Sequence, residues 1–341
     1  MLTVGIDPHK HNHTAVMLDE RGHHVAGPKV VADQPEAVDR LCRWAARHAR
    51  DREVRWAIED GRGLACRLAG GLVAAGKQVC WVPVRLMVAA RRGSPAGRGK
   101  SDPIDATAVA AAAGNPDNAR LLCPADVDPR LVDVRDLLDA HDRAVDQRTR
   151  TINTLRWRLH RLGIDTPRCL TSLIACTQTT TALAAAPAGI ATELASAELD
   201  DLAATTTRIT RLRRRLTGLV VPLCPHLLAI PGVGVLSAAR LITDASHTRS
   251  GAALARLAGT APIPVWTSNH TRHRLDPGGN RRLNHTIHQI AITQIRCHPP
   301  ATDLYHRRQH DKGRKGALRI LKRHLTDVLH HALTTDLATP A

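Results

Sequence analysis

Aromatic side chains are nearly missing: the 341 residues hold no Phe, one Tyr and five Trp. Leu, Val, Ile and Ala must therefore fill the cores, and recognition of single strands by base stacking is disfavoured. None of the eight cysteines stands in a CxxC pair. That excludes a zinc ribbon and a disulfide framework and points to a reducing compartment. No apolar run is long enough for a membrane span; the longest, around LACRLAGGLVAAGKQVCWV, is broken by Arg67 and Lys77. MLTVGID leads straight into a strand pattern, so no signal is expected. Acids are the scarcer charge, 31 against 48 Lys and Arg, for a net +17. Such an excess favours a polyanionic partner, with arginine contacts to phosphate as the mode. A soluble cytoplasmic protein associated with the nucleoid is expected, with no membrane partner.

The length allows two or three domains. Strand and helix signals alternate at first. LTVGID is a strand ending on Asp7, HTAVMLDERGHHVAG a hairpin turning at Glu20–Gly22, and PEAVDRLCRWAARHA a helix with Val38, Leu41, Trp44 and Ala45 in register. EVRWAIED is a strand, LACRLAGGLVAAG a helix stopped at Gly76, QVCWVPV a strand, and KSDPIDATAVAAAAG a helix closing at Gly114. This predicts an α/β domain with a mixed sheet over 1–115. NPDNARLLCPADVDP reads as a linker. Over 125–220 the pattern becomes helical. Leu131, Val134, Leu138, Val145, Ile152, Leu155, Leu159 and Leu162 follow a 3-4 spacing, interrupted at the seam by His141 and Arg148. Leu202, Ile209, Leu212, Leu216 and Leu219 repeat it, so the reading is an antiparallel coiled-coil pair or two amphipathic helices packed on the body. A mostly helical region fills 222–335. There IPGVGVLSAARLI has the form of a helix-hairpin-helix turn, in which Gly232 and Gly234 let the backbone approach a phosphate, or of a plain αα turn. The end is a basic amphipathic helix with Leu318, Leu321, Leu325, Val328 and Leu329 on one face.

Four acids stand out by position. Asp7 and Glu59 end strands, while Asp102 and Asp105 sit one helical turn apart in KSDPIDA. Each alone fits a turn, a cap or a first-turn acid. Together they suit one or two Mg²⁺ ions, with Mn²⁺ as a substitute, clamping the oxygens of a phosphoryl transfer. In GIDPHKHNH, His9, His11 and His13 follow Asp7 at every second position. A tight turn should scatter them, so the aspartate is expected to be the ligand and the histidines bystanders.

The order of these acids resembles the RuvC-type branch of the RNase H-like fold. GIDPHK, IEDGRGLACRLAGGL and KSDPIDA resemble the DEDD transposases of one insertion-sequence family, bridge-RNA-guided recombinases related to the Piv/MooV invertases. The resemblance implies catalytic and metal-binding roles for Asp7, Glu59, Asp102 and Asp105, and it matches Lys10 to a family lysine. LAGTAPIPVWTSNHTRHRLDPGGNRRLN is similar to the family's C-terminal transposase domain. It aligns Ser268 with the catalytic serine and Gly279–Asn280 with a Gly-Asn step. Asn269 replaces the usual Gly, which leaves Thr267 as an alternative hydroxyl. Lys100, Arg272, Arg274, Arg281, Arg282 and Lys315, with Gly232, Gly234 and Asn280, are candidates for nucleic-acid contact. The expected activity is metal-dependent DNA cleavage and strand exchange through a phosphoserine. A structured guide RNA, donor and target duplexes, and a homodimer or homotetramer are the implied partners. Two alternatives stay open: a RuvC-like endonuclease or junction resolvase without a serine adduct, and a non-catalytic basic DNA-binding protein.

Overall fold

The computed structural model describes residues 1–59, 62–93, 101–119, 122–125, 129–267, 270–274, 276 and 279–338. The chain divides into two compact units, Met1–Asp128 and Pro129–Ala341. Among the described residues no helix is long and apolar enough to cross a membrane.

In the first unit, β1 (Leu2–Pro8), β2 (Asn12–Leu18) and β3 (His24–Ala32) form an antiparallel meander. The chain continues through α1 (Ala37–Ala49), β4 (Val54–Glu59), α2 (Arg62–Ala74), β5 (Gln78–Val82), α3 (Val84–Gly93), α4 (Asp102–Gly114) and β6 (Cys123–Pro124). The sheet order is β3-β2-β1-β4-β5-β6, with β1, β4 and β5 parallel. This is the mixed sheet that the alternating pattern predicts, in the RNase H-like form that the resemblance implies. The expected linker after Gly114 is not only a linker: it contributes β6, antiparallel to β5, where Ala125 N–H donates to the Val79 carbonyl at 3.0 Å. Two residues, one of them Pro, carry no alternation to read, and Pro is tolerated because the strand lies at an edge.

Strand alternation decides which helix covers which face. Leu2, Val4 and Ile6 of β1, with Trp56 and Ile58 of β4, pack on Leu41 and Ala45 of α1 and Leu68 and Leu72 of α2. Ala57 and Val82 point the other way, onto α3 and α4. On that second face α4 lies directly against β1. A Cβ on Gly5 would fall 2.2 Å from the Ala106 carbonyl oxygen and 2.4 Å from the Ala110 nitrogen. Only glycine permits that approach, and the alanines of α4 keep the helix surface low enough to make it.

The second unit is built on α5 (Pro129–Arg161) and α7 (Ile190–Leu223), with α6 (Leu173–Ala184) in the weakly patterned stretch between them. The long helices run antiparallel. Leu131, Val134 and Leu138 meet Leu216 and Val220, Ala144 meets Ile209 and Leu212, and Leu155 and Leu159 meet Leu199 and Leu202. Arg158 donates to Glu198 across the pair at 2.8 to 3.0 Å. Most of the expected seam is buried as the spacing predicts, and it departs at two positions, where Ala144 is buried instead of Val145 and Val220 instead of Leu219. His141 stays in the seam, buried beside Asp142.

The unit continues with α8 (Pro225–Ala229), α9 (Val235–Ala245), α10 (Gly251–Leu257), a hairpin of β7 (Ile263–Thr267) and β8 (His270–Arg274), α11 (Arg281–Cys297) and α12 (Pro299–Ala338), which breaks at Gly313 with φ 67°. These helices share a core with the near ends of α5 and α7. In α12, Leu321, Leu325, Leu329 and Leu333 are buried, whereas Val328, expected on the same face, is 52% exposed.

The Gly5 contact makes a test. Gly5→Ala should destabilise the full-length protein by at least about 2 kcal/mol in urea unfolding, because backbone has to move. Gly70→Ala in α2, where an added Cβ meets nothing within 4 Å, should be neutral or slightly stabilising. Equal midpoints for the two variants would contradict the close-approach reading.

Candidate active site: a carboxylate cluster on the RNase H-like sheet

The same alternation that buries Leu2, Val4 and Ile6 on one face sends Thr3, Gly5 and Asp7 to the face under α4. Ile6 pairs with Ile58 in the parallel register of β1 and β4, so Asp7 and Glu59 become neighbours at the carboxyl ends of adjacent strands. Helix α4 begins at Asp102 behind Ser101, with Pro103 in its first turn. Asp102 and Asp105 therefore lie one turn apart at the positive end of a helix dipole. Seating α4 on Gly5 brings this end over the two strand-terminal acids.

Asp7 senses the other three acids, and Glu59 senses Asp7 and Asp105. Asp7, whose side chain is 7% exposed, has its pKa raised. Burial is the largest cause; His9 opposes it, Asp105 and Asp102 add to it, and a hydrogen bond with Glu59 opposes it. Glu59 is also raised, by burial first, then by the charge of Asp7 and the bond they share. Asp105 is buried and ion-paired to Arg91 of α3 at 3.0 Å.

The histidines do not behave as one group. His13 lies in β2, opposite Pro8, fully buried with Nε2 3.3 Å from Asp33. His11 is exposed in the turn. His9 corrects the bystander expectation: its N–H donates to the Asn12 carbonyl at 2.9 Å, and its Nε2 lies 3.2 Å from Asp7 Oδ2 and 3.2 Å from Asp102 Oδ1. The turn scatters the three rings, as expected, but returns one of them to the acids.

Ligand atoms of Asp7, His9 and Asp102 all fall within 4.8 Å of one another. His9 Nε2 is buried without an aligned hydrogen-bond partner, although it is within ion-pair range of both carboxylates. Crowded acids, a raised pair of pKa values and an inward ring nitrogen suit a divalent cation, which would relieve the repulsion between carboxylates.

In the second unit Ser268 and Asn269 lie outside the described residues, as does Lys100 in the first. Thr267 ends β7, and Arg272 and Arg274 lie on β8. Gly279 is pressed against Gly259, where a Cβ would sit 2.3 Å from the Gly259 nitrogen. Asn280 accepts from the N–H groups of Arg282 and Leu283, capping α11. The Gly-Asn step is thus a tight turn and a helix start. Arg282 bridges Asp139 and Asp142 of α5 at 3.1 and 3.2 Å, while Arg281 faces a cleft. Gly232, φ 84°, abuts the Ile290 carbonyl of α11, whereas Gly234 opens to free space at the start of α9. Lys10 and Lys315 are exposed.

The cleft, about 990 Å³, is the feature that sequence reasoning missed. Arg274, Arg281, Lys312, Arg319, Lys322 and Arg323 line it together with three histidines, against a single acid, Asp276, among the described residues. Lys322 donates to Asn284 Oδ1 at 2.6 Å, and burial, then the nearby Arg319, lower its pKa. So concentrated a positive field suits a phosphodiester backbone. Its signal in the sequence is spread over β8, α11 and α12: Arg274 and Arg281 stand out there as candidates and the last helix as basic, but nothing shows that they share a cleft.

Comparison with known proteins decides the family. A DEDD transposase model of the IS110 type, described as "Transposase", matches residues 4–163, and "Transposase IS116/IS110/IS902 family" matches 224–306. The chain belongs to this transposase family. It is similar to an insertion element IS116 uncharacterized 44.8 kDa protein of Streptomyces clavuligerus, 28% identical over 99% of this chain and 96% of that one. It is also similar to an insertion element IS900 uncharacterized 42 kDa protein of Mycobacterium paratuberculosis, 24% identical over 98% of each. Among solved structures, Thermus thermophilus RuvC in complex with Holliday junction substrate gives a TM-score of 0.27 at 20% identity, covering 36% of this chain and 99% of that one. Thermus thermophilus RuvC in a second structure gives 0.27 at 19%. The fold assignment rests on the sheet order and the family match. Membership makes the protein an insertion-element transposase, an enzyme of DNA cleavage and joining.

Two outcomes follow for the transposase. Raised pKa values mean that the folded state holds protons on Asp7 and Glu59 at pH values where the unfolded chain has released them. In the metal-free protein the stability linked to them is full below the ordinary carboxylate range and lost as pH rises through the raised values. Asp7→Asn should therefore raise the Tm in EDTA at neutral pH by a few degrees, with less gain in acid, and should lose the Tm increase that divalent metal gives the wild type. In the cleft, Arg281→Ala and Arg319→Ala should each weaken duplex binding and lower the salt slope by about one. Arg282→Ala should instead lower Tm with little change in that slope, read by fluorescence anisotropy across a salt series.

Proposed function

We propose that the transposase recombines DNA through a covalent phosphoserine at Ser268, with divalent metal, Mg²⁺ or Mn²⁺, held by Asp7, Glu59, Asp102 and Asp105. The observation that carries this reading is the convergence of the four acids at the carboxyl edge of β1 and β4 under α4. The role of Ser268 is supported by the family match over 224–306 and by the resemblance of its flanking residues. On this reading 1–115 is the nuclease part, 125–220 the helical spacer and 222–335 the transposase part.

The metal, when bound, neutralises charge on the phosphate oxygens and lowers the cost of deprotonating a hydroxyl. The protein's own groups do the rest. The Ser268 hydroxyl attacks phosphorus, loses its proton and displaces one strand-end oxygen, which takes up a proton. One phosphodiester is exchanged for another, so a hydroxyl from a partner strand reverses the step and releases the serine without ATP. The cleft arginines and lysines hold the flanking backbone, and Asp105, fixed by Arg91, orients the cluster. By resemblance, a structured RNA pairs with donor and target DNA, and a homodimer or homotetramer supplies enough active sites.

Labelled duplex incubated with metal and resolved under denaturing conditions should yield a protein–DNA adduct that Ser268→Ala abolishes while binding persists. Asp105→Asn should abolish cleavage with affinity changed less than about threefold, since the phosphate contacts lie elsewhere. Cleavage by Ser268→Ala without any adduct would favour the plain RuvC-like hydrolase. A discrete RNA copurifying from cells that carry the flanking DNA would support guidance, and its absence would oppose it.

A further inference from the structure

We infer that His9 is a direct nitrogen ligand of the metal at the carboxylate cluster, and that it shifts the site's preference from Mg²⁺ toward transition-metal ions. The inference rests on the metal reading of the acids above.

Three observations carry it. His9 Nε2 stands 3.2 Å from one oxygen of Asp7 and 3.2 Å from one of Asp102. With metal–ligand bonds of about 2.1 Å, neighbouring atoms of an octahedral shell lie about 3 Å apart, so the nitrogen already occupies the place of a third ligand. That nitrogen is buried and aligned for a hydrogen bond to neither carboxylate. The ring is also held at its backbone, through the His9 N–H to the Asn12 carbonyl at 2.9 Å, in a turn anchored by β1 and β2. The side chain is 45% exposed, so this bond fixes where the ring starts, at the acids, and the ring nitrogen alone is buried.

The chemistry then differs from an all-oxygen site. Mg²⁺ takes oxygen donors and keeps its waters, and gains little from imidazole. Co²⁺ and Mn²⁺ accept mixed oxygen and nitrogen shells, with affinity rising along the transition series. One ring nitrogen in a shell of acids leaves Mg²⁺ usable but favours Co²⁺ and Mn²⁺ more than the acids alone would.

The test uses the full-length protein and metal alone. Calorimetric titration with MgCl₂, MnCl₂ and CoCl₂ compares the wild type with His9→Ala, His9→Gln and Asp7→Asn, each first confirmed as folded by circular dichroism. Electron spin-echo spectra of the Mn²⁺ complex report directly bound nitrogen. The expected result is nitrogen modulation in the wild type and none in either His9 variant. Co²⁺ affinity should fall on the order of tenfold in both variants, while Mg²⁺ changes less than about threefold. A wild-type spectrum without nitrogen, or a Co²⁺ to Mg²⁺ ratio unchanged by both substitutions, overturns the inference while leaving the acids as metal ligands. If Asp7→Asn binds all three ions as the wild type does, the metal reading of the cluster itself falls.

Discussion

The carboxylate cluster depends on one close contact, the seating of α4 on β1 at Gly5. Asp7 and Glu59 come from strands, Asp102 and Asp105 from a helix some hundred residues along the chain. Sheet register fixes the first two relative to each other, but nothing in the sheet fixes the height of the helix above it. That height is set where Ala106 and Ala110 meet a residue without a side chain. An ordinary helix–sheet spacing would lift the acids of α4 away from the strand ends. The alanine run of α4, which in isolation reads as mere helix propensity, is therefore a geometric requirement of the acid site.

Part of this was legible in the chain. The alternation of Leu2, Val4 and Ile6 with Thr3, Gly5 and Asp7 assigns Asp7 to the second face, and KSDPIDA announces a helix start with two acids one turn apart. What the chain could not show was the return of His9, because a turn's exit direction depends on the pairing that closes it. Nor could it show β6, too short to carry a period, or the basic cleft, whose side chains come from three elements distant in sequence.

Charge is sorted between the units. In the first, acids are drawn together against their mutual repulsion. In the second, basic residues adjacent in sequence take opposite duties. Arg282 is tied to Asp139 and Asp142 and joins α11 to α5, while Arg281 turns to the cleft. Asn280 and Gly279, which sequence similarity marks alongside them, start the helix that separates those two directions. A net charge of +17 is thus a poor guide to which cations meet a polyanion, since several already have acidic partners within the fold.

The short strand β6 has a consequence for how the first unit is finished. The three parallel strands end at β5, whose outer edge offers unpaired amide and carbonyl groups. Among the described residues, α3 and α4 leave that edge open and the chain returns to it at Cys123–Pro124. During synthesis the acid-bearing helix is complete before the sheet's border is sealed. Until then the acid-bearing helix lies beside an adhesive rim. A two-residue strand containing Pro then closes the rim, and its missing amide gives a passing strand one bond fewer to copy.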